Sequence, residues 1–284
     1  MSARPFILTQ RLLPQHALSR VVHRLARSRS PRLKNALIAA FARAFRPDMQ
    51  GACEPDPLRY ESFNAFFTRS LEPAARPLDP DPRALVCPVD GVVSQIGYLD
   101  GLGIVQAKGR TYGLDALLAG HRTWIERFAG GAFATLYLAP RNYHRVHMPL
   151  AGELRAAWYT PGRLFSVNAA TTRAVADLFT RNERVTCAFE TPDGLGFGLV
   201  LVGALFVGSI ATRWHGDVTP ASPRTALELA ARAAPLAKGE EMGRFNMGST
   251  VILLLPPASV CWLAELGAGS AIRMGQRLAL LAGR

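Results

Sequence analysis

The stretch that most limits what this chain can fold into is LGFGLVLVGALFVGSIAT, residues 195–212, eighteen consecutive positions without a charge. A helix of that length can cross a bilayer, so the segment is either a membrane span or part of a buried core. Gly196, Gly198, Gly203 and Gly208 interrupt it, and the turn signal Pro192-Asp193-Gly194 precedes it. Glycines in an apolar run mark bends and close backbone approach in strands. The segment therefore reads as a strand pair in a buried sheet. Hydrophobic residues are 49% of the 284 and charged residues 19%, enough for one large core or two small ones.

Its surroundings agree. In RPLDPDPRALVCP, Pro77, Pro80, Pro82 and Pro88 impose extended backbone and mark a boundary. Beyond it come short alternating or apolar runs: GVVSQIGYL, IVQAKG, FATLYLAP, ELRAAWY, RVTCAFE and VILLL. Such runs predict a β-rich core, barrel-like or sandwich-like. Helical inserts are expected at 114–119, at 170–179 and in PRTALELAARAAP, residues 223–235. The fold class expected is α+β, with a basic amphipathic helical region over 1–75 and a β-rich domain over 76–284.

The net charge of +12 sits mostly at the start, where residues 1–50 hold ten Lys/Arg against Asp48 alone. Leu18, Val21, Val22 and Leu25 fall at i, i+3, i+4, i+7, and Leu33, Leu37, Phe41 and Phe45 form a second stripe. Both describe amphipathic helices with basic polar faces. Phe63, Phe66 and Phe67 in YESFNAFFTRSL are expected to face a core. A basic amphipathic helix at an anionic bilayer gains up to ~1 kcal/mol per Lys/Arg in addition to apolar burial. The bland alternative is helices packed on their own core with a solvated basic face. No nucleic-acid partner is expected, because no recognition motif accompanies the charge. No apolar run ending in a small-residue cleavage site marks a signal peptide. Cys53, Cys87, Cys187 and Cys261 form no CxxC pair, which argues against a zinc site or disulfide framework.

Four pieces of the β-rich region carry chemistry. PVDG, residues 88–91, holds Asp90 either in an Asx-turn or as a buried carboxylate with a partner. PRNYHRVHMP, residues 140–149, holds His144 and His147 beside Arg141, Tyr143 and Arg145. A metal reading of the two histidines lacks a third ligand, and no metal is expected. RLFSVN, residues 163–168, is a candidate substrate wall through Phe165, Ser166 and Asn168. Last, GRFNMGST places Gly248-Ser249 at the mouth of an apolar strand, with 36 residues from Ser249 to the end. Asp90, a histidine and Ser249 are the parts of a charge-oriented nucleophile. The serine has no G-x-S-x-G elbow, and the electrophile nearest to it is the peptide bond before it. Glycine offers that bond no Cβ hindrance.

PVDG, QAKG (106–109), YHRVHMP, FSVN, TRNERV and GRFNMGST, in this order over nearly the whole chain, resemble the membrane-associated bacterial phosphatidylserine decarboxylase proenzymes. One departure is Met247, where the family usually has leucine, a swap that conserves volume. The stretch 220–237 matches least. The resemblance implies that Ser249 Oγ attacks the Gly248 carbonyl and that elimination then cuts the chain. A β chain, 1–248, and an α chain, 249–284, would result, with a pyruvoyl cofactor made from Ser249. It implies Asp90 and His147 in self-cleavage and His144 as proton donor in decarboxylation. The pyruvoyl group would hold the substrate amine and accept the electrons left by CO₂. A heterodimer of the two chains, a further homo-oligomer, and a peripheral place on the cytoplasmic side of the cell membrane are also implied. Two other classes remain at this point: a hydrolase in which Ser249 persists, and a membrane-surface module without catalysis.

Overall fold

The periodic N-terminal stretch forms two helices, α1 (Gln15–Ala26) and α2 (Pro31–Phe45), in a computed structural model that describes residues 9–10, 13–107, 109–205, 209–218, 227–230, 234–246 and 249–283. Pro31 opens α2, where a missing N–H costs nothing. In the short helix α3 (Phe63–Phe67) the Ser62 hydroxyl accepts the Ala65 N–H as a cap. Phe63, Phe66 and Phe67 pack with Ala26 and Ile38 in a small core of their own, as the aromatic spacing predicts. Phe41 meets all three rings edge-on, with centroids 5.2–6.1 Å away. Such pairs add ~0.5–1.5 kcal/mol each to area burial.

The two helices use their apolar stripes differently. On α2, Leu37, Ile38 and Phe41 turn into the small core. On α1 the polar residues Gln15 and Ser19 are buried (3% and 0% exposed), while Val21 and Leu25 face outward at 51% and 43%. Amphipathicity alone cannot say which face a helix buries. Here side-chain hydrogen bonds decide. Gln15 accepts from the Leu164 N–H (2.9 Å), Gln10 accepts from the Ser166 N–H (2.7 Å), and Gln15 Nε2 donates to the Gln10 carbonyl.

After the prolines the chain forms seventeen strands among the described residues, numbered here in chain order. The largest sheet is antiparallel and eight-stranded. Its order is β12 (Leu227–Ala230), β7 (Glu153–Thr160), β8 (Arg184–Glu190), β9 (Gly196–Val202), β14 (Ser249–Leu255), β5 (Ala132–Leu138), β2 (Gly91–Tyr98) and β16 (Ala271–Ile272). The end strands do not pair with each other, so the sheet is open rather than a closed barrel. Strands β9 and β14 are buried along their whole length, which is why their sequences are continuous apolar runs rather than alternating ones. A four-stranded sheet runs β11 (Gly216–Val218), β10 (Ile210–Thr212), β13 (Glu241–Phe245), β6 (Arg145–His147). A three-stranded sheet of β1 (Ala84–Val86), β17 (Arg277–Leu281) and β15 (Val260–Trp262), and the hairpin of β3 (Gly103–Ala107) with β4 (Arg110–Gly113), complete the set.

The uncharged stretch 195–212 does supply two strands, β9 and β10, but they belong to different sheets and do not pair. Gly198 answers for its glycine: a Cβ there would come 3.1 Å from the Phe128 ring of the helix α5 (Arg122–Phe128). No described helix is long and apolar enough to cross a membrane. Short helices α4 (Leu114–Leu117), α6 (Ala169–Ala174) and α7 (Leu178–Arg181) match two of the expected inserts. The third is corrected. Within PRTALELAARAAP the described residues 227–230 form edge strand β12, Glu228 opposite Trp158. A local helix preference yields there to pairing with an open sheet edge.

Candidate active site

Neighbouring strands bring Ser249 and the segment that carries Asp90 to one end of the large sheet. Ser249, first residue of β14, pairs with Leu138 at the end of β5. On the other side of β5, Gly91 opens β2 so closely that a Cβ would lie 2.3 Å from the Tyr137 carbonyl oxygen. Only glycine follows Asp90 without displacing that strand. Gly91 and Ser249 thus stand two strand spacings apart, about 10 Å. The same PVDG segment reaches the histidines, since the Pro88 carbonyl accepts the His147 N–H at 2.9 Å. Met247 and Gly248 lie outside the described residues.

Asp90 is a buried carboxylate with a partner rather than an Asx-turn. Arg76 Nε lies 3.0 and 3.1 Å from its two oxygens, Arg76 Nη2 2.5 Å from Oδ2, and the Met274 N–H donates to Oδ1 at 2.9 Å. Arg76 sits in the proline-rich boundary, and sequence reading missed it. A carboxylate expected to be buried demands a cation, but nothing local says which. Met274 lies after Ser249 in the chain, so Asp90 ties the segment before that serine to the segment after it.

His147 donates from Nδ1 to the Gly239 carbonyl (2.8 Å), which fixes its lone pair on Nε2, where it accepts the Tyr143 O–H at 2.9 Å. Burial pushes this imidazole down, with the charges of Glu241 and Asp90 pulling the other way. It is therefore neutral near pH 7. Among the described residues no hydrogen bond links Asp90 to His147 or either one to Ser249. The carboxylate is held by Arg76, and the imidazole by Tyr143 and Gly239.

His144 is different. It is fully buried, its ring 4.2 Å from that of Phe67, and Nδ1 donates to the Asn142 carbonyl at 2.8 Å. Burial pushes it down to about 3. The neutral ring leaves a lone pair on Nε2, which is buried and has no partner among the described residues. The Ser249 hydroxyl is likewise buried with no partner among the described residues. Leaving buried polar groups unsatisfied costs ~1–3 kcal/mol each. Although Thr135, Thr186 and Thr250 share this condition, Ser249 and His144 are the two among them whose side chains the sequence singles out for chemistry. A self-made prosthetic group fits this observation, because its precursor hydroxyl has no structural task.

Phe165, Ser166 and Asn168, expected to form a substrate wall, carry structural tasks. Phe165 is buried and exchanges backbone bonds with the Asn182 amide (3.0 and 2.8 Å). Asn168 caps α6 through the Thr171 N–H, and the Ser166 N–H is tied to Gln10 as above. Asn64 and Asn246, also missed, meet beside the site, Nδ2 to Oδ1 at 3.1 Å.

Sequence comparisons show the family. A family model described as phosphatidylserine decarboxylase matches residues 63–280, and a second, described as PSD, matches residues 5–46. A phosphatidylserine decarboxylase proenzyme of Bordetella pertussis is 53% identical over 279 residues, 97% of this chain and 94% of the relative. Proenzymes of the same name from Methylococcus capsulatus (50%) and Pseudomonas putida (51%) are each covered to 98%, as is this chain. The chain belongs to the phosphatidylserine decarboxylase family.

Proposed function

We propose that this protein decarboxylates phosphatidylserine to phosphatidylethanolamine and CO₂ after cutting itself between Gly248 and Ser249. The observation that carries this reading is that Ser249 Oγ, on the first residue of central strand β14, and His144 Nε2 are both buried and without a hydrogen-bond partner among the described residues. Ser249 Oγ attacks the Gly248 carbonyl, exchanging the peptide C–N bond for an ester. β-Elimination then breaks the Ser249 Cβ–Oγ bond, leaving the β chain with a terminal carboxylate and the α chain with a dehydroalanine that water converts to a pyruvoyl group with loss of ammonia. Asp90 and His147 assist the self-cleavage; for His147 to act as a base, Tyr143 must first give up its hold on Nε2. Once formed from Ser249, a pyruvoyl group supplies a carbonyl for the substrate amine and a sink for the electrons released with CO₂. His144 is neutral with its lone pair on Nε2. It returns to the substrate only a proton it has first taken up. Phe165, Ser166 and Asn168 form the wall beside which the headgroup lies.

The fold supports retention of the α chain after cutting. Strand β14 lies between β9 and β5, and its five buried apolar residues, Val251 to Leu255, contribute about 7–15 kcal/mol by area. The outward stripe of α1 supports a peripheral place on an anionic membrane at the cytoplasmic face. Gln10 and Gln15 tie that helix to the wall, so the lipid surface and the substrate segment are mechanically joined. Replacing Ser249 by alanine should leave one uncut, inactive chain. By contrast, His144→Ala should be cut yet release little CO₂ from phosphatidylserine micelles. Cleavage of the Ser249→Ala chain would refute the reading, and an uncut His144→Ala chain would reverse the division between the histidines.

A further inference from the structure

A groove of about 550 Å³ opens between the N-terminal helices and the four-stranded sheet, walled by Arg27, Arg29, Asn64, Arg69, Arg145 and Arg244. Arg145 and Arg244 also wall a second cavity of about 460 Å³ on their far side, near Arg213 and Glu241. Most of these cations are already matched. Arg27 pairs with Asp217, Arg29 with Glu61 (3.0 Å), Arg145 with Glu241 (2.7 Å) and Arg213 with Glu240. Arg69 gives its N–H groups to the carbonyls of Asp48, Arg141 and Asn142 and has no acid partner among the described residues. Arg244 stands on β13 opposite Ala211 and Arg145, with Nε buried and without an acceptor among the described residues. Such an N–H is costly to leave unmade, and a guanidinium fork is shaped for an anion with several oxygens.

The groove touches the active site from two sides. Asn64 donates to Asn246, three residues before Ser249. Arg69 reaches the Asn142 carbonyl that also orients His144. Its rim begins at Arg27 and Arg29, directly after α1 and its outward apolar stripe. In a serine phospholipid the phosphorus is four bonds from the amine, so a site for the amine needs an anion site close by.

We infer that Arg244, supported by Arg145 and Arg69, binds the phosphate of the substrate headgroup and so selects a phosphodiester over serine alone. This rests on the decarboxylase reading. The test uses self-cleaved enzyme in neutral detergent micelles, where membrane charge plays no part. Arg244→Gln should raise KM for phosphatidylserine at least about tenfold, about 1.4 kcal/mol, with kcat within about threefold. Arg244→Lys, keeping charge without the fork, should recover part of the loss. Inorganic phosphate should compete with substrate in the parent and compete about tenfold less well in Arg244→Gln. An unchanged KM overturns the inference. So does a variant that loses only its binding to phosphatidylglycerol vesicles, which would make the groove a membrane contact. If Arg244→Gln fails to cut itself, the thermal shift caused by inorganic phosphate is compared in Ser249→Ala chains with and without Arg244→Gln. Equal shifts then overturn it. Failure of the parent to decarboxylate phosphatidylserine would sink the decarboxylase reading, while a phosphate shift dependent on Arg244 would still identify the anion site.

Discussion

Replacing Arg76 by methionine removes one half of a buried ion pair and leaves the other in place. Arg76 and Asp90 are each about 8% exposed at the side chain, and both carboxylate oxygens accept from the guanidinium. Stripping the cation from such a pair costs ~3–5 kcal/mol, because the carboxylate stays where water cannot solvate it. Only the Met274 N–H would remain to satisfy it. Unfolding by urea is best measured in the Ser249→Ala background, where one chain unfolds as a unit. Arg76→Met should lose ~3–5 kcal/mol there. The double variant Arg76→Met/Asp90→Leu should regain most of that loss, since a well-packed apolar pair replaces a buried ion pair at little cost. If Arg76→Met stays within ~1 kcal/mol of its parent, Asp90 is not locked by this contact, and the account of why it fails to reach His147 falls with it.

Two further predictions follow, one from groups the fold has buried and one from residues it leaves exposed. His144 titrates at about 3 in the fold against 6.5 ordinarily, so between these values the unfolded chain holds a proton the folded one lacks, and stability falls with falling pH. Glu183, held up at about 7 by burial against 4.5, works in the opposite sense, and the two nearly cancel from pH 6.5 to 4.5. Glu183→Gln in the Ser249→Ala background should therefore lose about 2–3 kcal/mol more than its parent on acidification across that window, and parallel stability curves would contradict this. Val21→Glu/Leu25→Glu, changing residues already exposed, should alter stability by less than ~0.5 kcal/mol yet weaken sedimentation with anionic vesicles about a hundredfold. Undiminished vesicle binding would show that α1 does not present its stripe to lipid.

How much of this was legible beforehand depends on the range of the interaction. The strand after Ser249 and the apolar run at 195–212 carry their own signal, because total burial writes itself as a continuous hydrophobic sequence. That β9 and β10 part into different sheets is not written there, since β9 chooses β14, some fifty residues on, by tertiary packing. Residues 227–230 misled for the opposite reason: alanine, leucine and glutamate favour a helix locally, and an open edge at β7 overrode them. The spacing of Leu18, Val21, Val22 and Leu25 defined a stripe but not its direction, which Gln15 fixes through the distant Leu164 N–H. At the site, Asp90, His144, His147 and Ser249 stood out by residue type. Their partners Arg76, Tyr143 and Gly239 did not, and those partners decide which lone pairs are free.

The central claim is that the backbone reacts at Gly248-Ser249, and the denatured mass of the purified protein tests it most directly. The account predicts two polypeptides, residues 1–248 and residues 249–284, the smaller without a free amino terminus. A single intact chain of 30.8 kDa from material that decarboxylates phosphatidylserine would contradict it.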